Sequence, residues 1–261
     1  MTRLAVLGSP IAHSKSPLLH AAAYRELELD WQYEAIEVDE GALEPFVTNL
    51  DDHWRGLSLT MPLKRVVLPL LESVDPVARL TGSVNTVLLA GGERRGFNTD
   101  VYGVWAALRG SGHTAFDRVA IVGGGATAAS VLVAVDQLGA DEVTLFVRTA
   151  ANADPIVRLG DALGLDVRVQ PIGSHVEADV VVSTLPGGVI HSSTFDTDAL
   201  LFDVAYDPWP SALAAGWTGP VVSGLEMLIH QAHAQVATFV TGSPAGELPE
   251  GVLPAMRAAV A

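Results

Sequence analysis

Three consecutive glycines, Gly123, Gly124 and Gly125, interrupt the run RVAIVGGGATAASVLVAVDQL at residues 118–138. The apolar stretch before them, residues 119–122, has the length of a buried strand. Residues 126–138 after them are small or apolar and contain no Gly or Pro, which suits a buried helix. Strand, glycine turn and helix in this order open a dinucleotide-binding βαβ unit. In that reading Gly123 makes the tight turn and Gly125 lets the backbone approach a pyrophosphate. Ala128 keeps helix and strand close, and the helix start offers N–H groups and a positive dipole end to the anion. A tight turn with no ligand is the plain alternative, and the ordered succession argues against it.

The next strand, residues 142–147, ends at Arg148-Thr149. An NAD site carries an acid about 20 residues past the glycines, whereas an arginine there pairs with a 2′-phosphate. Asp141 and Glu142 lie at the wrong end of that strand, so the sequence favours NADP. A surface arginine at a strand end is the structural alternative.

Other polar groups collect where predicted strands end. Residues 3–8 read as a strand, followed by Ser14, Lys15, Ser16 and Pro17. Ser16 reads as an N-cap with Pro17 at the first helical position, opening a helix over 18–29. Two hydroxyls and a lysine crowded at a helix start also suit a carboxylate. Residues 55–59 form a strand leading to Thr60 and Lys64, with a helix over 63–71. Taken alone, Lys64 reads as a solvated lysine of a first turn, although a cation is unfavourable there. Asn98-Thr99-Asp100 precedes a helix over 101–109. A cap needs one of these three residues, which leaves the others to be explained. Thr184-Leu185-Pro186-Gly187-Gly188 follows a strand over 178–183 and is placed at the nicotinamide end of the sheet. Tyr206 follows a strand over 200–205. His230 and Gln231 lie on a helix running from Ser223 to about Phe239, where they have the option of facing solvent.

The elements needed to hold these groups alternate. Strands at 3–8, 31–38, 55–59 and 84–89, with a hairpin return at 94–97, are interleaved with helices at 18–29, 41–50 and 63–71. Beyond a link at 110–117, the glycine-turn unit continues with a helix at 154–163 and strands at 167–170, 178–183, 200–205 and 220–222. A last helix spans 251–260. This alternation implies α/β architecture with mainly parallel sheets and a ligand site beyond the strands' carboxyl ends. The length of 261 residues allows two moderate domains, and 49% hydrophobic residues suffice for their cores.

A formal charge of −15 argues against nucleic-acid binding, which needs a basic face. The absence of cysteine removes disulfides, thiolate metal sites and a Cys nucleophile, and scattered histidines give no metal pattern. No apolar run reaches the length of a membrane span, and the break at Ser9-Pro10 leaves no signal-peptide core, so a cytoplasmic protein is expected.

The sequence resembles the shikimate dehydrogenase family over nearly its whole length. The resemblance rests on HSKSP (13–17), GLSLTMPLK (56–64), GSVNT (82–86), NTDVYG (98–103), VGGGATAA (122–129), DVAYDPWP (203–210) and SGLEMLIHQ (223–231), in family order. It implies NADPH-dependent reduction of 3-dehydroshikimate to shikimate, in the aromatic amino-acid pathway. It implies a substrate domain, residues 1–102 with 236–261, a Rossmann-type NADP domain, residues 103–235, and an active-site cleft between them. Lys64 and Asp100 would be the catalytic pair, at the hydroxyl that is oxidised and its neighbour. Ser14 and Ser16 would hold the substrate carboxylate. Thr60, Asn85 and Gln231 would bind ring hydroxyls, with Tyr206 nearby. Gly123, Gly124, Gly125, Ala126, Arg148, Thr149 and Gly224 would hold the cofactor, and Met227 would line its nicotinamide site. A small-molecule substrate and a monomer or homodimer are expected, without nucleic acid, membrane or metal.

The implied chemistry suits these residue types. A hydride arriving at a ketone leaves an alkoxide, which needs a proton donor or a cation. A protonated lysine is both, and whether it transfers the proton or only stabilises charge is open at this stage. A nearby aspartate favours the charged lysine and burial opposes it. Four positions depart from the family pattern. Ser58 replaces a usual Asn, Val147 the Asn before Arg-Thr, Asn152 a second phosphate-binding Arg, and Ala21 an Asn after His20. Two other readings stand beside this one: a quinate/shikimate dehydrogenase with relaxed or NAD cofactor use, and a non-catalytic NADP-binding sensor, which would need neither Lys64 nor Asp100.

Overall fold

A computed structural model describes residues 1–175, 177–186, 195 and 198–261. Its contacts divide the chain into two compact units, Met1–Thr99 with Ile229–Ala261, and Asp100–Leu228.

The first unit begins β1 (Thr2–Gly8), α1 (Ser16–Glu26), β2 (Trp31–Glu37), α2 (Glu40–Thr48), β3 (Trp54–Leu59) and α3 (Leu63–Val66). It continues β4 (Ser73–Val74), α4 (Pro76–Thr81), β5 (Thr86–Ala90) and β6 (Glu93–Phe97). Among the described residues its sheet has the order β2-β1-β3-β5-β6-β4. β1 runs parallel to both β2 and β3. The β5–β6 hairpin turns through Gly91-Gly92, both with positive φ, and β5 pairs antiparallel with β3. A core of Ala5, Leu7, Leu43, Leu57, Leu63, Val84 and Val87 lies on one face of the sheet.

The second unit holds α5 (Asp100–Gly110), β7 (Arg118–Val122), α6 (Ala126–Gln137), β8 (Glu142–Val147), α7 (Asp154–Leu163) and β9 (Asp166–Pro171). Then come β10 (Val180–Ser183), β11 (Leu200–Asp203), α8 (Ala212–Ala215) and β12 (Val221–Ser223). Every described pairing in its sheet, ordered β12-β11-β10-β7-β8-β9, is parallel. This is the doubly wound order in which the strand sequence reverses beside the first strand, here between β7 and β10. The strands are near-continuous apolar runs because both faces of such a sheet are covered. α9 (Gly224–Thr241) carries the chain across the division at Leu228, and α10 (Val252–Ala258) packs on α1 in the first unit.

The structure differs from the sequence reading at several points. The helix expected over 63–71 stops at Val66 and resumes as a 3-10 turn, Leu68–Leu70, because Pro69 has no N–H to continue the ladder. α4 follows Asp75, whose carboxylate accepts the Ala78 N–H, with Pro76 at the first helical position. α8 is likewise capped by Ser211, which accepts the Ala214 N–H. Neither short helix was expected from the sequence. Ser16 is the first helical residue of α1 and not its N-cap, which is Lys15 with no side-chain cap.

Candidate active site

In the second unit the register puts the carboxyl ends of the strands in one row. Val122 is opposite Ser183, Ser183 opposite Asp203, and Asp203 opposite Ser223. The next residues, Gly123, Thr184, Val204 and Gly224, therefore leave the sheet along one edge. Arg148 and Thr149 leave β8 beside them, since Val122 pairs with Phe146. The predicted cofactor residues of this unit thus share one sheet edge.

Gly123 has φ +111°, and a Cβ there would stand 2.3 Å from Thr184 Oγ1. The turn therefore needs glycine both for its conformation and for its close approach. Gly124 backs onto the Asn152 carbonyl, whereas nothing lies within 4 Å of a Cβ built on Gly125. Gly125 is the N-cap of α6 and supplies no side-chain cap to its N–H groups. An open cradle in front of an uncapped helix start fits a pyrophosphate. Ala126 opens α6 and Ala128 is fully buried, as close packing of helix and strand requires. Arg148, Thr149 and Asn152 are exposed. The residues present therefore fit a dinucleotide, and Arg148 is an exposed cation just past the end of β8. Tyr206 lies on the β11–α8 loop, half-buried. That loop is fastened by Asp203, which accepts the Ser211 hydroxyl and the Ala205 N–H. Gly224 starts α9 against the Val204 carbonyl, and Met227 is buried one turn later. Gly187 and Gly188, expected at the nicotinamide end, lie outside the described residues.

In the first unit the same edge logic holds. Thr60 follows β3, and its N–H donates to the Leu7 carbonyl at the end of β1 at 2.9 Å. Lys64, in α3, accepts the Val84 N–H on its carbonyl at 2.8 Å, which brings the residue before Asn85 against the lysine backbone. Ser14 Oγ accepts the Ser16 N–H at 3.3 Å, so these two hydroxyl residues do stand together at the start of α1. Ser16 is buried and Ser14 half-buried.

Asn85 is the centre of this unit's polar cluster and is 1% exposed. Its Nδ2 donates to Thr99 Oγ1 at 2.9 Å and to Gln231 Oε1 at 3.1 Å, joining residues 146 positions apart. Its Oδ1 accepts the Thr86 hydroxyl at 2.8 Å and the Thr99 N–H at 2.9 Å. Asn98 Nδ2 donates to Thr81 Oγ1 at 2.8 Å. Thus, of the three consecutive polar residues 98–100, Asn98 and Thr99 secure the edge of the first unit and Asp100 is the first residue of α5. Gln231 is buried and turned to Asn85, not to solvent. Lys64, half-buried, stands in the first unit, and Asp100, buried, begins the second.

Sequence reading missed three members of the cluster. Gln235, His20 and Ser58 are all buried beneath Asn85, and Ser58 Oγ donates to Gln235 Oε1 at 2.9 Å. Ser58 was noticed only as a departure. Gln235 had a signal, since it lies four residues after Gln231 and so on the same face of α9. His20 is stacked on Tyr33, with ring centroids 3.8 Å apart, and burial pushes its imidazole down to about 3, against a weaker opposite effect of the Gln235 hydrogen bond.

Comparison with known proteins gives a consistent result. A family model for the shikimate dehydrogenase substrate-binding domain matches residues 6–87. The chain is 34% identical over 247 residues to a shikimate dehydrogenase (NADP(+)) of Oleidesulfovibrio alaskensis, covering 88% of this chain and 86% of that one. It also matches the pentafunctional AROM polypeptide 1 of Lodderomyces elongisporus at 30% identity, but spans only 16% of that longer protein. Among solved structures, Mycobacterium tuberculosis shikimate dehydrogenase superposes with a TM-score of 0.83 at 37% identity, covering 99% of this chain and 100% of that one. The Thermus thermophilus shikimate 5-dehydrogenase in complex with NADP(H) and shikimate gives 0.80 at 32% identity, with 100% of both chains covered.

Proposed function

This chain belongs to the shikimate dehydrogenase family, and from that premise we propose that it interconverts 3-dehydroshikimate and shikimate with NADP as cofactor. The first unit, as the substrate-holding part, and the second, as the cofactor-holding part, divide the work. The observation that carries the reading is the buried joining of Asn85 to Gln231. It assembles two amides at the sheet edge that also bears Thr60, from segments far apart in sequence, and fixed amides are what a ring with several hydroxyls needs.

Bound NADPH supplies the hydride. The chain's own residues do the rest. Ser14 and Ser16 receive the substrate carboxylate as hydroxyl donors at the start of α1. Thr60, Asn85 and Gln231 hold the ring hydroxyls, with Tyr206 from the β11–α8 loop, so that one ring carbon is presented to the cofactor. Lys64 Nζ is the cation for the oxygen that becomes an alkoxide, and it carries a proton that this oxygen can take. Asp100 accepts a hydrogen bond from the neighbouring hydroxyl and so fixes the ring's rotation. Gly123, Gly124, Gly125 and Ala126 cradle the pyrophosphate at the start of α6, Arg148 and Thr149 take the 2′-phosphate, and Gly224 and Met227 border the nicotinamide.

Initial rates by nicotinamide absorbance, with shikimate or quinate and NADP or NAD, test the reading. Turnover with shikimate and NADP well above the other three combinations is expected. Comparable rates with quinate or NAD would move the protein to the dual-specificity reading. Silence in all four with NADP still bound would leave a sensor.

A further inference from the structure

Beneath Asn85 lies a polar chain in which the structure fixes the direction of each hydrogen bond. We propose that Gln235 is a positioning residue that, through Thr86, sets which way the Asn85 and Gln231 amides face. The inference rests on the reading of Asn85 and Gln231 as the groups that hold a polyhydroxylated substrate.

Gln235 is 2% exposed and has no bond to the Asn85 or Gln231 side-chain amide. Its Nε2 donates to the Asn85 backbone carbonyl at 3.1 Å and to Thr86 Oγ1 at 3.1 Å. Its Oε1 accepts Ser58 Oγ at 2.9 Å and meets His20 Nε2 at 3.3 Å. The opposite rotation of this amide would set two carbonyl oxygens face to face, because the Asn85 carbonyl can only accept. The orientation of Gln235 is therefore decided by backbone.

From there the bonds run in one sense, except that the Thr99 hydroxyl has two acceptors, Asn85 Oδ1 at 3.2 Å and Gln231 Oε1 at 3.5 Å. Thr86 Oγ1 receives a hydrogen from Gln235 and gives its own to Asn85 Oδ1. The Thr99 N–H points at the same oxygen. Asn85 Nδ2 is thereby turned toward Thr99 Oγ1 and Gln231 Oε1. Gln231 then has its carbonyl toward Asn85 and its Nε2 on the opposite side of the amide. Upstream, the Gln235 carbonyl selects the Nε2–H tautomer of His20, whose Nδ1 accepts the Tyr24 hydroxyl at 3.0 Å. A satisfied buried network of this kind holds a single arrangement, since any reversal leaves a buried donor or acceptor without its complement. The consequence for a ligand is polarity. The side of Gln231 turned away from Asn85 is the donor side of its amide, so a ligand group that meets it must accept, and a ring presenting the wrong group is discriminated against.

Two near-isosteric variants test this. Gln235→Met keeps the length of the side chain and removes its hydrogen bonds. Thr86→Val removes only the relay hydroxyl. In each, KM for shikimate is expected to rise about tenfold while kcat falls by less than about threefold, the pattern of lost ground-state binding. KM for NADP should not move. Because both changes break one chain, the double variant should be no worse than the more damaged single one. An unchanged shikimate KM in either soluble variant would overturn the proposal. So would effects that multiply in full in the double variant, or an equal rise in KM for NADP, the mark of general loosening. If Gln235→Met fails to fold, Thr86→Val is read alone by the same criteria. Wild-type turnover is the separate control: no turnover with shikimate and NADP sinks the parent reading, while normal wild-type turnover with unchanged variants sinks only this one.

Discussion

His20 has no exposed surface, and its imidazole remains neutral far below the pH at which a free histidine charges. Burial is the main cause, and the groups that meet the ring, Tyr24, Tyr33, Phe239 and Gln235, bring no carboxylate. The sign follows from proton counting. Below about pH 6.5 the unfolded chain binds a proton at this position, and the native chain does not until about pH 3. The unfolded state therefore binds more protons in that window, and stability falls as the pH falls, by about 1.4 kcal/mol per pH unit. His233, half-buried on α9 and also lowered by burial, acts in the same sense. Between pH 6 and 4, urea unfolding of His20→Gln should show a dependence on pH shallower than wild type by about that amount. Equal slopes would mean that His20 is not kept neutral by the fold. At this scale the sequence was uneven. The glycines and Arg148 stood out by their places in the strand–turn–helix pattern, whereas Asn85 and Gln231 were reached only through the family resemblance. His20 and Gln235 did not, since one sequence does not tell which polar side chains of an amphipathic helix turn inward.

Elements were legible where their termini are chemically marked and long apolar periods fill them. α6 and β8 were found nearly to the residue. α4 and α8 were overlooked although Asp75-Pro76 and Ser211 mark their starts, because helices of one or two turns have too little periodicity to read. What no single element reveals is how α9 sits on its own unit's sheet. Gly56 of β3 is the point of contact: a Cβ there would lie 2.4 Å from the Phe239 ring and 2.8 Å from the Val87 carbonyl oxygen. The ring is fully buried and the carbonyl belongs to the neighbouring strand, so neither yields easily. Arg55 strengthens the docking, donating to the Phe239 carbonyl at 2.7 Å. Gly56→Ala should destabilise the protein by about 1–3 kcal/mol through overpacking. Because α9 carries Gln231, the same variant should raise the shikimate KM. A urea midpoint at the wild-type value would show that α9 shifts without cost.

At the scale of the whole chain, the two units differ in how their sequence is spent. The second is one contiguous stretch, with an all-parallel sheet, α5 packed on α6, and a core of Ala120, Val122, Phe146, Val181 and Leu201 drawn from within it. The first is closed by residues that arrive only after the second is complete. α10 packs on α1, Phe239 covers Gly56, and Gln235 satisfies Ser58, Thr86 and the Asn85 carbonyl. Without residues 229–261 those buried polar groups lose their partners, and an apolar face of the sheet is left in water. A fragment of residues 100–228 should therefore fold by itself and bind NADP, because the glycine turn, the start of α6 and Arg148 all lie inside it. A fragment of residues 1–99 should not fold. Near-UV circular dichroism and cooperative urea unfolding of each fragment, with NADP titration of the first, decide the matter. A cooperative transition in residues 1–99 would mean that the buried chain from His20 to Asn85 forms without Gln235, and with it would go the reason for assigning Gln235 its place behind the substrate amides.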